Sequence, residues 1–289
     1  DLKEGNVVME KITVCVTGHD GFIGSRLLLK LKEDPRWDVV PFVGDLTKKS
    51  DVEAFFAAHP TVSNLIHLAG LFFGDADVLF SVNVLGTVHL LEAGAAAGLK
   101  RVIAVSTGAV YGEPPGGISK EEDPRAPNTL YGLSKLQGEE SLEYAARTKG
   151  IKTVTLRFPN VYGPGNAKGV IYQFLSAIAR EKKIVIAGTG EQKRNFLHVD
   201  DAVSAILLAL TYEGSEHVLN IASEELVSLN ELAELLRAKG LVFEIARESA
   251  DAANALQILS LDITRAKAAL GWRPRVSLSD GIQQLMEQQ

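Results

Sequence analysis

The chain has 289 residues, of which 46% are hydrophobic and 23% charged, with a formal net charge of −6. That length supports one large α/β domain or two small lobes with a good core. The charge balance gives no reason to expect nucleic acid or an anionic membrane as partner. The single cysteine, Cys15, excludes an internal disulfide and fits a reducing compartment, so a cytoplasmic protein is expected. It lies in an apolar run and reads as a packed small hydrophobe. No apolar run reaches the ~18 residues of a membrane span, and no signal peptide is expected. Residues Asp1 to Val8 read as an extension ahead of a natural start at Met9.

Ile12 to Thr17 is β-branched, apolar and ends in glycine, which predicts a buried parallel strand. The turn Gly18-His19-Asp20-Gly21-Phe22-Ile23-Gly24 follows, and a helix is expected from Phe22 to Lys32. Strand, glycine-rich turn and helix in that order form a dinucleotide-binding unit. The glycines let the backbone approach a pyrophosphate, and the helix N-terminus offers it free N–H groups. The spacing is G-x-x-G-x-x-G, wider than G-x-G-x-x-G. Next come a strand over Val39 to Val43, the segment Gly44-Asp45-Leu46-Thr47, a short helix over Asp51 to Ala58, and a strand from Asn64 to Leu68, Ala69 and Gly70. A helix is expected over Val78 to Ala97, then a strand over Arg101 to Ser106. Thr107 lies at its carboxyl end, where ligands sit in open α/β sheets. Glu113 to Pro127 reads as a loop, and the helix carrying Tyr131 and Lys135 runs to Lys149. A strand over Thr153 to Phe158 follows.

After Pro159 the alternation loosens. Helices are expected over Val170 to Arg180, from an Asp200 cap to Leu210, after the capping box Ser228-Leu229-Asn230-Glu231, and after an Asp262 cap. The last helix sets Leu278, Ile282, Leu285 and Met286 on one face. Short strands are expected over Ile184 to Ala187, Asn195 to Val199 and Val218 to Ile221. The fold class is therefore α/β: a doubly wound parallel sheet over residues 9–160 and about 195–222, with a smaller mixed lobe from 161–194 and 223–289.

Tyr131 and Lys135 share one face of a helix, about one turn apart. Alone, that spacing is a common chance pattern. Beside a dinucleotide turn and Thr107 it describes a nicotinamide site with its own proton-transfer group. A tyrosine has an ordinary pKa near 10; a neighbouring ammonium and a cationic nicotinamide favour its phenolate. Tyr131 can then serve as acid/base for a substrate hydroxyl, with Thr107 orienting the oxygen and Lys135 also holding the nicotinamide ribose. The histidines show no metal-like clustering, and no metal is required. His67 and His198, in apolar strands, read as core or wall residues.

The chain resembles an extended short-chain dehydrogenase/reductase of the NAD-dependent epimerase/dehydratase family. The motifs that carry the likeness are TGHDGFIG, IHLAG, NVLGT, VSTGAVYG, YGLSK, LRFPNVYGPGN, GTGEQKRNFLHVDD and LGWRP. The resemblance implies a Rossmann sheet with a C-terminal substrate lobe, a nucleotide-diphosphate sugar as substrate, and a homodimer formed through the helices at Val78–Ala97 and Tyr131–Lys149. It implies Tyr131 as acid/base, Lys135 as its activator and Thr107 as hydroxyl partner. Asn160 resembles the family's substrate-contacting asparagine, and Arg194 its diphosphate-binding arginine.

Departures narrow the reaction. Gly108 and Ala109 stand where 4,6-dehydratases carry an Asp-Glu pair, where decarboxylases keep the Glu, and where GDP-fucose synthases place a cysteine. Simple oxidation and reduction at one carbon remains, as in a UDP-galactose 4-epimerase. A short segment between Gly70 and Asn83, and Ala252 in place of a second diphosphate-binding arginine with Arg247 displaced nearby, leave open a dehydrogenase or reductase of a free sugar, uronate or other small carbonyl compound. A non-catalytic NAD(P)-binding protein is the third reading. For the cofactor, Asp45 and Leu46 fit the element that approaches adenine. Asp20 would repel a 2′-phosphate, which favours NAD, although Lys48 and Lys49 keep NADP open.

Overall fold

Strand β1 (Ile12–Thr17) organises the sheet. In the computed structural model, which describes residues 11–113, 117–249 and 258–287, it pairs in parallel with β2 (Trp37–Pro41) on one side and β3 (Val62–His67) on the other. Parallel pairing continues through β4 (Arg101–Thr107), β5 (Lys152–Phe158) and β9 (Val218–Asn220), giving the order β2-β1-β3-β4-β5-β9. The chain turns outward in one direction after β1 and in the other after β3. The switch point, where a crevice opens at the carboxyl ends of an α/β sheet, therefore lies between them. The expected Asp1–Val8 extension, the start at Met9 and the reading of Ala252 fall outside the described residues.

Period-2 alternation distributes β1 between two cores. Val14 and Val16 join a cluster with Leu27 and Leu31 of α1 (Phe22–Glu33) and Ala202, Val203 and Ile206 of α7 (Val199–Leu210). Cys15 faces the other way, among Phe55 and Phe56 of α2 (Lys49–Ala58), Leu90 and Leu91 of α4 (Gly86–Ala96) and Leu142 of α5 (Leu130–Lys149). Cys15 has no exposed surface, and burial pushes its thiol up to about 12. It is packing, as the sequence implied.

Several boundaries differ from the sequence reading. The second strand is Trp37–Pro41, because pairing with Ile12 to Val16 decides its extent, and Val43 is left 78% exposed. The third strand is Val62–His67, ending before Leu68. The helix expected to start at Val78 starts at α3 (Ala76–Phe80), where the Asp75 carboxylate accepts the Val78 N–H at 2.9 Å. It passes through a π-helical turn, Ser81–Leu85, before α4. Residues 76–96 together have the length and apolar content of a membrane span. Here Thr87, Leu90, Leu91 and Gly94 are buried in the layer against α2 and α5. Helix α7 is capped by His198, whose Nδ1 accepts the Asp200 N–H at 3.3 Å, and not by Asp200. The Asp200 carboxylate instead takes Arg26 of α1 in a two-bonded pair at 2.6 and 3.1 Å.

The remaining strands form small sheets. Strand β8 (Lys193–His198) pairs with β6 (Asn160–Tyr162), β10 (Leu226–Ser228) and β12 (Ile258–Leu259). Strand β7 (Lys183–Ala187) pairs with β11 (Glu244–Glu248). A third core joins α6 (Val170–Glu181), α8 (Leu229–Ala238) and α10 (Leu278–Met286). The capping box at α8 forms as read: Ser228 Oγ accepts the Glu231 N–H and Glu231 accepts the Ser228 N–H, at 3.1 and 2.7 Å. Asp262 accepts the Thr264 N–H at 2.8 Å at the start of α9 (Thr264–Leu270).

Candidate active site

The turn from β1 to α1 is built without room for side chains. Gly18 has φ +65°, and a Cβ there would lie 2.8 Å from the Ala69 backbone nitrogen. A Cβ on Gly24 would lie 2.0 Å from the Gly18 carbonyl oxygen. Gly21 precedes α1 without a side-chain cap, and the first turn, Phe22-Ile23-Gly24, holds no acidic residue. Its N–H groups are thus left to an external anion, and the macrodipole favours one. The turn abuts Leu68 and Ala69 just past the end of β3, at the switch point, while Gly70 lies against Asn83 and Lys135. These features fit a dinucleotide pyrophosphate.

Thr107, Tyr131 and Lys135 converge at the carboxyl end of β4. Thr107 Oγ1 accepts the Ala109 N–H at 3.2 Å, and its side chain faces the Tyr131 hydroxyl. Tyr131 follows Thr129, whose Oγ1 caps α5 by accepting the Gly132 N–H at 3.0 Å. Burial pushes the Tyr131 phenol up to about 12, against the opposing influence of the Thr107 side chain. Lys135 Nζ donates to the Val105 carbonyl at 2.8 Å. Burial brings its ammonium down to about 8, while Glu139 opposes that shift.

Two polar clusters behind these residues were not read from the sequence as parts of the site. Thr17 Oγ1 is 2.7 Å from His67 Nδ1, and His67 Nε2 is 3.0 Å from Thr87 Oγ1. Thr87 donates to the Asn83 carbonyl at 2.8 Å, so its oxygen accepts from His67. That assigns the proton to Nε2 and makes Nδ1 the acceptor from Thr17. The Ala69 N–H closes the row on Thr17 Oγ1 at 3.3 Å. Buried and held neutral, His67 is brought down to about 3, mainly by desolvation. Asn83, in the π-helical turn, accepts the Leu71 N–H at 2.8 Å and donates to the Leu71 carbonyl and Ser134 Oγ at 3.0 and 2.9 Å. Its presence in the NVLGT motif was the available signal.

The second cluster is ionic. Arg157 of β5 gives Glu139 of α5 two bonds at 3.0 and 2.6 Å, and both side chains are 2% exposed. Arg157 also donates to the Tyr111 hydroxyl at 2.6 Å, which in turn donates to Asn220 Oδ1 at 2.8 Å. Burial would lower the guanidinium's pKa, but pairing with Glu139 outweighs it and the net shift is upward. The sequence signal was Glu139 itself, one turn beyond Lys135 on α5.

The other predicted residues lie at the rim. Asn160, exposed at the start of β6, comes two residues after Phe158, the register partner of Thr107. Arg194 of β8 is half-buried, donates to the Lys193 carbonyl at 3.0 Å and feels the charge of Glu113; no bond joins it to Tyr131 or Thr107 among the described contacts. Asp45 accepts the Thr47 N–H and hydroxyl at 2.9 and 2.7 Å, bonds that hold its carboxyl below the usual range. Lys48 pairs with Asp45 at 3.6 Å and Lys49 with Glu92 at 3.3 Å, so both are engaged locally. Asp20 is exposed beside the turn. Arg247 is tied to the Thr189 carbonyl at 2.7 Å and Asn230 at 2.9 Å.

Comparison with known proteins agrees with this geometry. The chain is 33% identical to the dTDP-4-dehydro-6-deoxyglucose reductase of Escherichia coli, over 95% of this chain and 96% of that one. Among solved structures it superposes on a UDP-glucose 4-epimerase of Thermotoga maritima, bound to UDP-glucose, with TM-score 0.88 and 30% identity, covering 95% and 97% of the two chains. It also superposes on MoeE5 in complex with UDP-glucuronic acid and NAD, with TM-score 0.84 and 30% identity, covering 96% and 100%. The model of the NAD dependent epimerase/dehydratase family matches residues 14–222, from inside β1 to just past β9. With a glycine cradle at the switch point and a Thr-Tyr-Lys cluster beside it, the chain belongs to that family, with NAD as its cofactor.

Proposed function

We propose that the protein is an epimerase of a nucleotide-diphosphate sugar, acting at C4 through a keto sugar. The observation that carries this reading is the convergence of the Thr107 and Tyr131 side chains at the carboxyl edge of β4, with Lys135 one turn further along α5. When bound, NAD supplies a hydride acceptor and, on return, a hydride donor. Thr107 orients the reacting hydroxyl, and Tyr131 Oη takes its proton and gives it back. A phenol pushed up to about 12 by burial is a poor base. A cationic ring alongside and the Lys135 ammonium bring it into range. Gly18, Gly21 and Gly24 hold the pyrophosphate, with Phe22 and Ile23 offering N–H groups, and Asp45 and Leu46 lie beside the adenine. Asn160 and Arg194 contact the substrate.

We also assign residues 9–160 with about 195–222 to cofactor binding, and 161–194 with 223–289 to the substrate. The groove lined by Val84, Val88, Leu91 and Tyr144, between α4 and α5, serves a homodimer. The single buried Cys15 accords with a cytoplasmic setting. A second reading, a reductase of a keto nucleotide sugar or a smaller carbonyl compound, is favoured by the likeness to the Escherichia coli reductase.

Mass spectrometry of the small molecules released on denaturation, with an assay for net NADH formation or consumption, separates the two. An epimerase retains NAD and turns over UDP-glucose with no net change in NADH; net consumption of NADH with a keto sugar overturns it in favour of the reductase. Tyr131→Phe lowers turnover by about 10²–10⁴-fold without loss of NAD. Light scattering that finds a monomer at micromolar concentration removes the homodimer.

A further inference from the structure

The segment between β3 and α3 carries three apolar side chains in a row, Leu71, Phe72 and Phe73, at 38%, 59% and 84% exposure. Its two ends are fastened. Asn83 grips both the N–H and the carbonyl of Leu71, and Asp75 caps α3. The Phe72 ring lies over Tyr131, with ring centroids 5.3 Å apart and planes at 47°. Gly70, just before, sits next to Lys135: a Cβ there would be 3.7 Å from Nζ. An exposed aromatic fixed against the proton-transfer tyrosine keeps more than half of its surface open to a ligand.

We propose that Phe72 determines specificity, forming the apolar wall against which the group on the sugar carbon next to the reacting one is placed, and that it selects a neutral hexose over a uronic acid. The inference rests on the nucleotide-sugar reading above. With the C4 oxygen at Tyr131, the substituent on C5 is an immediate neighbour. A hydroxymethyl or methyl group there buries its CH surface on the ring. A carboxylate would lose hydration against an apolar face. It would also find no cation in the segment, whose one charged residue, Asp75, is acidic, as is Asp77 in the first turn of α3. The ammonium of Lys135 is already committed to the Val105 carbonyl.

The test uses NAD-loaded Tyr131→Phe protein, which keeps the ring under Phe72 but turns substrate over about 10²–10⁴-fold more slowly. UDP-glucose and UDP-glucuronic acid are titrated into it by calorimetry. The expected result is about tenfold or tighter binding of UDP-glucose, the scale of one apolar contact made or lost in a pocket. Adding Phe72→Arg shrinks or reverses that ratio by about tenfold, whereas Phe72→Leu preserves it. Equal weakening of both ligands by Phe72→Arg, with the ratio unmoved, overturns the inference and leaves the nucleotide-sugar reading standing. Failure of both ligands to bind the parent protein overturns that reading and the inference with it.

Discussion

Behind β3, His67 is held between Thr17 and Thr87 in a row of hydrogen bonds with no formal charge. Behind β5, Arg157 and Glu139 bring a full ion pair to 2% exposure. Both clusters border the small space around Lys135. The neutral row has a modest desolvation cost and depends on each donor meeting its acceptor. The ionic pair has a large desolvation cost, offset only while both members are present. Around one lysine, the fold therefore uses a geometric support on one side and an electrostatic one on the other, and the two should fail differently.

The largest effect is expected from breaking the ion pair. Glu139→Leu or Arg157→Met alone should cost about 3–5 kcal/mol in urea unfolding, because each strands a buried charge. The double variant should cost less than either single one. A double variant as unstable as the sum of the singles would show that the two act independently and end the distinction between the clusters.

Next in size is the acid response of the neutral row. His67 is down at about 3 in the fold against an ordinary 6.5, so between those values the unfolded chain binds a proton that the folded one refuses. Stability should be fully present above pH 6.5 and fall as pH drops toward 3. His67→Gln should flatten that slope. A difference between wild type and variant that stays constant from neutral to acid pH would remove His67 as its source.

Lys135 gives an alkaline signature. Its ammonium is down at about 8 from 10.5, so folded and unfolded chains differ in bound protons between those values, and stability should rise across that window as the cost of a buried charge disappears. Activity should move the opposite way, declining above about pH 8 as Tyr131 loses its cation. Removing Glu139 should shift that decline to lower pH. A rate profile flat to pH 10.5 would exclude the ammonium from the chemistry.

The smallest change is Thr17→Val, which deletes one hydroxyl from the neutral row. It leaves His67 Nδ1 and the Ala69 N–H without that partner and should cost about 1–3 kcal/mol, with Thr17→Ser near wild type. Loss of the ion pair's magnitude at Thr17 would mean that the neutral row bears charge after all.

Much of the site was legible because it is local in sequence. The Gly18-to-Gly24 turn, the Thr107 strand end and the Tyr131–Lys135 helix spacing each lie within a few residues, so backbone sterics and helical periodicity disclose them. Asn83, Glu139 and Arg157 were visible as letters but not as roles, since each partner is at least 12 residues away. Asp200 shows the same limit from the other side. Its local position suited a cap, but Arg26, 174 residues away, offered its carboxylate a stronger partner.

By itself, the order of residues determined the alternation of strand and helix, the glycine cradle, the face shared by Tyr131 and Lys135, and membership of a family with that chemistry. Those features follow from short-range periodicity and from positions that only glycine can occupy. Tertiary structure decided where β2 begins, which residue caps α7, the tautomer of His67, the pairing of Arg157 with Glu139, and the seating of Phe72 over Tyr131. Each depends on desolvation or on a partner from a distant segment, and neither exists until the layers have packed.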